Sequence, residues 1–107
     1  MARSKEAFIK DCVLTSVADA LESFSSIVEE VTAWAAEKQI PVVRDDVLKA
    51  LQDLIDNGYV QAYICSANPP STRAIPFKLA DVEDRYFCLT DKGAATVKNI
   101  EQVMGTY

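Results

Sequence analysis

Apolar and polar positions alternate along this chain with two different periods. From residue 44 to 58 the period is helical. Val47, Leu48, Leu51, Leu54 and Ile55 recur at i, i+1, i+4, i+7 and i+8, which places all five on one face of a helix with 3.6 residues per turn. Asp45, Asp46, Lys49, Gln52, Asp53 and Asp56 fall between them and face water. Asp45 and Asp46 in the first turn complement the positive end of the helix dipole, and Pro41 stands just before the start. Asn57-Gly58 ends the helix, because glycine enters the left-handed conformation without a Cβ clash. The period then changes to two. Tyr59, Gln61 and Tyr63 alternate with Val60, Ala62 and Ile64, which predicts a strand over 59–65.

The same reading extends to the rest of the chain. Phe8, Cys12, Val13 and Val17 give a first helix from about Glu6 to about Ala18, followed by a turn or short extended piece over 21–25. Ser26-Ile27-Val28-Glu29 has the capping-box form and predicts a second helix over 27–37, with one continuous kinked helix as the alternative. Trp34 falls on the apolar side of that second helix and reads as a core anchor. Residues 39–43 form the turn into the third helix. Residues 66–72 are rich in Pro, Ser and Asn and predict a loop. Residues 75–79 read as an irregular strand or extended arm, and 81–84 as a polar turn. Tyr86, Phe87, Cys88 and Leu89 predict a second strand, with Thr90 as N-cap of a last helix striped by Ala94, Val97, Ile100, Val103 and Met104.

Composition narrows the picture. A chain of 107 residues, half hydrophobic and a quarter charged, has the make-up of one globular domain spanning 1–107. No apolar run approaches the roughly 20 residues of a membrane helix, and no basic start leads into an apolar signal core, so a cytoplasmic protein without a membrane partner is expected. Cys12, Cys65 and Cys88 are widely spaced within apolar surroundings, and the reading is three buried, reduced thiols. With no histidine, no Gly-rich phosphate loop and no nucleophile beside a base, neither an enzyme nor a metal or cofactor site is expected. Glu29-Glu30 and Asp45-Asp46 are neighbours in sequence, so they diverge on a helix and read as solvated faces.

Two segments carry a family resemblance. Leu54-Ile55-Asp56-Asn57-Gly58-Tyr59-Val60 resembles the Leu-x-x-x-Gly-Tyr/Leu-Val/Ile that closes the third helix of many bacterial winged-helix regulators. Tyr86-Phe87-Cys88-Leu89-Thr90-Asp91-Lys92-Gly93 resembles the Tyr-x-Leu-Thr-x-x-Gly that ends the wing in the MarR and PadR kinds. The resemblance covers about residues 28–93. It implies a mostly helical α+β fold: three helices, a two-stranded β-hairpin wing and a C-terminal helix. It also implies a transcription regulator whose third helix enters the major groove of double-stranded DNA. Carried over, Arg44, Lys49 and Gln52 become the groove-facing candidates, and Arg73 and Lys78 the wing contacts.

Charge departs from that pattern. The third helix sets Arg44 and Lys49 against Asp45, Asp46, Asp53 and Asp56, a balance of minus two, within a chain of net charge −5. DNA affinity draws on Lys and Arg neutralising phosphates, and an acidic face repels them. The wing differs, since no carboxylate occurs between Asp56 and Asp81 while Arg73 and Lys78 both lie there. The motifs put a DNA-binding transcription regulator first among the expectations, with a winged-helix module that meets another protein and binds no DNA as the alternative. The apolar stripe of the last helix adds an expected homodimer through that helix.

Overall fold

The computed structural model describes residues 5–18, 21–67 and 70–104, with the backbone alone at 66–67, 70–71, 79 and 99–104. In chain order these form α1 (Lys5–Ser16), β1 (Glu22–Ser23), α2 (Phe24–Glu37), α3 (Arg44–Asp56), β2 (Val60–Ala67) and β3 (Pro70–Ala74). A 3-10 helix (Leu79–Asp84), β4 (Tyr86–Leu89) and α4 (Asp91–Met104) complete them. The architecture is α+β, with the four strands in one antiparallel sheet of order β1-β4-β2-β3.

α1 lies at the centre of the helical layer, against α2, α3 and α4. Phe8, Ile9, Cys12, Val13 and Leu14 are all buried, so its apolar residues spread around the helix instead of forming one stripe. α2 begins earlier than the sequence indicates. Ser23, not Ser26, is the N-cap, its Oγ accepting from the Ser26 N–H at 3.3 Å. The start is pulled forward by Phe24, which is 2 % exposed and must point into the core. Val31 and Ala35 are buried along the same face, and Trp34 packs half-buried against it.

α3 matches its predicted span. Val47, Ala50, Leu51 and Leu54 are buried, with Leu48 and Ile55 at the margin. At its start, Asp46 Oδ2 accepts from the Val43 N–H at 3.1 Å, one half of a capping box. Both α2 and α3 end in the same hydrogen-bonded turn. Ile40 N–H donates to Ala35 O and Gln39 N–H to Ala36 O, while Tyr59 N–H donates to Leu54 O and Gly58 N–H to Ile55 O. The left-handed position is Gln39 (φ 57°) in the first and Gly58 (φ 81°) in the second.

The two predicted strands meet. β2 pairs with β4 in the register Val60↔Leu89, Gln61↔Cys88, Ala62↔Phe87 and Tyr63↔Tyr86. Around this pair the sheet is larger than a two-stranded hairpin. The extended piece before α2 adds β1 beside β4, with Ser23 opposite Tyr86. Residues expected as loop instead prolong β2 and form β3, pairing Tyr63↔Ala74 through Ala67↔Pro70. Their turn-forming residues thus include both strands at the end of the β2–β3 hairpin, where Ala67 pairs with Pro70, instead of an open loop. The expected polar turn at 81–84 is 3-10 helical and buries Val82. In α4, Val97 is buried but Ala94 is exposed. The side chains of Ile100, Val103 and Met104, on which the expected homodimer rests, lie outside the described residues.

A clasp fixes β4 and α4 to the end of α3. Thr90 Oγ1 donates to Gly58 O at 2.6 Å and accepts from the Gly93 N–H at 3.1 Å, capping α4 as expected. Thr90 N–H donates to Tyr59 O at 3.0 Å. Lys92 Nζ donates to Asn57 O at 2.8 Å and lies 4.4 Å from the centroid of the Tyr59 ring. At Gly93 a Cβ would collide with Tyr59 O and stand 3.0 Å from Leu89 Cδ2, so the backbones approach only because no side chain is there. This is the physical content of the two sequence motifs: each supplies one side of the same junction.

Candidate nucleic-acid interface

α3 presents Arg44, Lys49 and Gln52 away from the core, each with an acidic neighbour. Arg44 Nη2 donates to Glu83 Oε1 at 3.1 Å, an ion pair from α3 to the 3-10 helix. Its guanidinium also lies 4.9 Å from the centroid of the Phe24 ring. Gln52 Nε2 donates to Asp56 Oδ1 at 2.9 Å, one turn on. Lys49 is exposed, on the same side of the helix as Asp45 and Asp56. Exposed pairs of this kind contribute about 0.2–1 kcal/mol and are readily exchanged for another partner. What persists is the carboxylates themselves, which keep the outer side of α3 acidic.

The structure also revises the charge of this helix. Lys5 Nζ lies 3.4 Å from Asp46 Oδ2, and Lys10 Nζ 3.0 Å from Asp53 Oδ2. Two of the four α3 aspartates are therefore matched by α1, leaving Asp45 and Asp56 against Lys49 on the water-facing side. The sequence held no direct sign of this, because the pairing depends on how α1 crosses α3. Between the two helices runs an open groove of about 600 Å³ with Ile9, Leu48 and Ala50 at its base and these lysines and aspartates around it. Its mixed charge selects neither an anion nor a cation.

The Asp46 carboxyl is held below the ordinary carboxylate range, first by the hydrogen bond from the Val43 N–H and then by Lys5. Cys12 is shifted the opposite way: burial, with the Asp11 charge beside it, pushes its thiol up to about 12. It is a protonated packing group. Cys65 differs from the expectation of three buried thiols. It is exposed, 3.8 Å from Thr72 Oγ1 on the adjacent strand, and Cys88 is partly exposed.

The wing candidates are separate from α3. Arg73 stands exposed on β3 opposite Ile64, and Lys78 stands exposed immediately before the 3-10 helix. The five candidates thus stand on three different segments: Arg44, Lys49 and Gln52 on α3, Arg73 on β3 and Lys78 at the start of the 3-10 helix. Among the described residues no group of His, Cys, Asp or Glu side chains is arranged to hold a metal ion. No helix is long and apolar enough to cross a membrane. No family model, curated protein or solved structure matches this chain.

Proposed function

We propose that the chain is a winged-helix domain used to contact another polypeptide, with α3 in the position of the recognition helix and β2, β3 and β4 as an enlarged wing. The fold part of this reading is supported by the element order and by the strand order β1-β4-β2, with a short strand between the first two helices pairing beside the last. The functional part is carried by one observation: Arg44, Lys49 and Gln52 stand among Glu83, Asp45 and Asp56. A duplex reader needs cations free to neutralise phosphates along that helix. A polypeptide surface tolerates and uses mixed charge.

A second reading has its own support. Arg73 and Lys78 are exposed on a segment without a carboxylate from residue 57 to 80, which suits sequence-independent phosphate contact by a DNA-binding regulator. The two readings separate on charge reversal. If the α3 carboxylates keep DNA away, Asp45→Lys with Asp56→Lys creates salt-sensitive duplex binding in a chain that otherwise has none. If the chain binds DNA through its wing, the unaltered protein already binds, and Arg73→Glu with Lys78→Glu weakens it on every sequence and flattens its salt dependence.

A further inference from the structure

We infer that the outward face of the four-stranded sheet is a contact surface for a second copy of this chain. Strand alternation sends Val60, Ala62 and Phe87 into the core, all of them buried. It sends the intervening side chains outward, and the registers align these into rows. One row crosses all four strands as Ser23, Tyr86, Tyr63 and Ala74. Beside it Cys88 faces Gln61, and Leu21, one step before β1, falls in line with them. Leu21 (36 %) and Tyr86 (40 %) are two of the three large hydrophobic residues that stand exposed among those described.

Charge points to the occupant. None of these outward-facing strand residues is Asp, Glu, Lys or Arg, although the chain carries 16 Asp and Glu residues and a net charge of −5. The helical surfaces present carboxylates, Glu6 on α1, Glu29 and Glu37 on α2, Asp45 and Asp56 on α3, Glu83 on the 3-10 helix and Asp91 on α4, and the segment between β2 and that 3-10 helix presents the cations Arg73 and Lys78. Two copies meeting through any of those bring like charges together, which opposes association. Through the sheet face they do not. A tyrosine-containing, charge-poor patch is the composition of an interface centre. A twofold axis through it would stack the row of one copy on the same row of the other, as sheets pack face to face. The patch is smaller than the roughly 20–30 residues per side of a standard interface, so the dimer forms at micromolar concentrations or above. The inference does not depend on whether α3 meets protein or DNA.

The test is dilution of the full chain from about 500 to about 5 μM, followed by sedimentation velocity and by amide NMR shifts. The expected result is a dimer that dissociates on dilution, with shifts confined to residues 21–23, 61–65, 72–74 and 86–88. Tyr86→Glu and, separately, Tyr63→Glu should each weaken the dimer about tenfold or more, with unchanged thermal melts. If one variant fails to fold, the other and the dilution shifts of the unaltered chain decide. A monomer throughout, a dimer indifferent to both substitutions, or shifts that map to α4 would overturn the inference.

Discussion

Gly58 and Gly93 are glycines for different physical reasons, and substitution separates them. Gly58 has φ 81° with open space where a Cβ would be, so Gly58→Ala bears only the left-handed backbone cost of about 1–2 kcal/mol. Gly93→Ala must move the Tyr59 backbone away from α4, disturbing the clasp along with it. Its cost should lie at or above the top of the usual overpacking range of about 1–3 kcal/mol. Urea unfolding of the two variants should rank Gly93→Ala as the more damaging, and the reverse order would show that the clasp is slack. Gln39 offers the opposite experiment. It occupies the left-handed position at the end of α2 with a side chain (φ 57°), so Gln39→Gly should stabilise the chain by about 0.5–1 kcal/mol, read as a raised melting temperature.

At the scale of elements, the start of α3 carries a pH dependence. The Asp46 carboxyl is lowered in the folded state by the Val43 N–H and by Lys5. A depressed carboxyl contributes stability that is present above its unfolded value of 3.8 and is lost as the pH falls through the folded value. Asp46→Asn should therefore lower the melting temperature at pH 7, and the difference from the unaltered chain should close in strong acid. An equal deficit at both ends of the range would assign the effect to packing instead.

The elements also show what was legible before any coordinates. α3, Gly58 and the strand β2 could be read because each signal is local: a 3.6-residue period, a left-handed stop, a two-residue period; the pairing of β2 with β4 is not local and was implied only by the family resemblance. Thr90 as a cap was equally plain. The start of α2 was misplaced because Ser23 and Ser26 both offer a capping oxygen, and only the burial of Phe24 decides between them. β3 was hidden because Pro70, Ser71 and Thr72 have turn chemistry, yet their backbone is held by Cys65, Ser66 and Ala67 across the hairpin. The pairing of Lys5 with Asp46 and of Lys10 with Asp53 was out of reach, since it depends on a helix crossing that no local pattern encodes.

For the whole molecule the governing quantity is where charge lies, not how much there is. The acidic total of −5 conceals three different surfaces: an α3 side with Asp45 and Asp56 around Lys49, a segment with Arg73 and Lys78 and no carboxylate from residue 57 to 80, and an outward sheet face whose side chains include no Asp, Glu, Lys or Arg. The proposed division of labour follows from these. α3 meets a polypeptide, the outward face of the sheet meets a second copy, and duplex DNA is disfavoured because its phosphates would lie against aspartates.

That last statement is open to one direct measurement, titration of the unaltered chain into a labelled random-sequence duplex at about 50 mM salt, where electrostatic binding is strongest. The account predicts no saturable change in anisotropy up to about 100 μM protein, weaker than even ordinary non-specific binders. A saturable complex at low micromolar concentration that weakens steeply as salt is raised would contradict it and restore the DNA-binding reading.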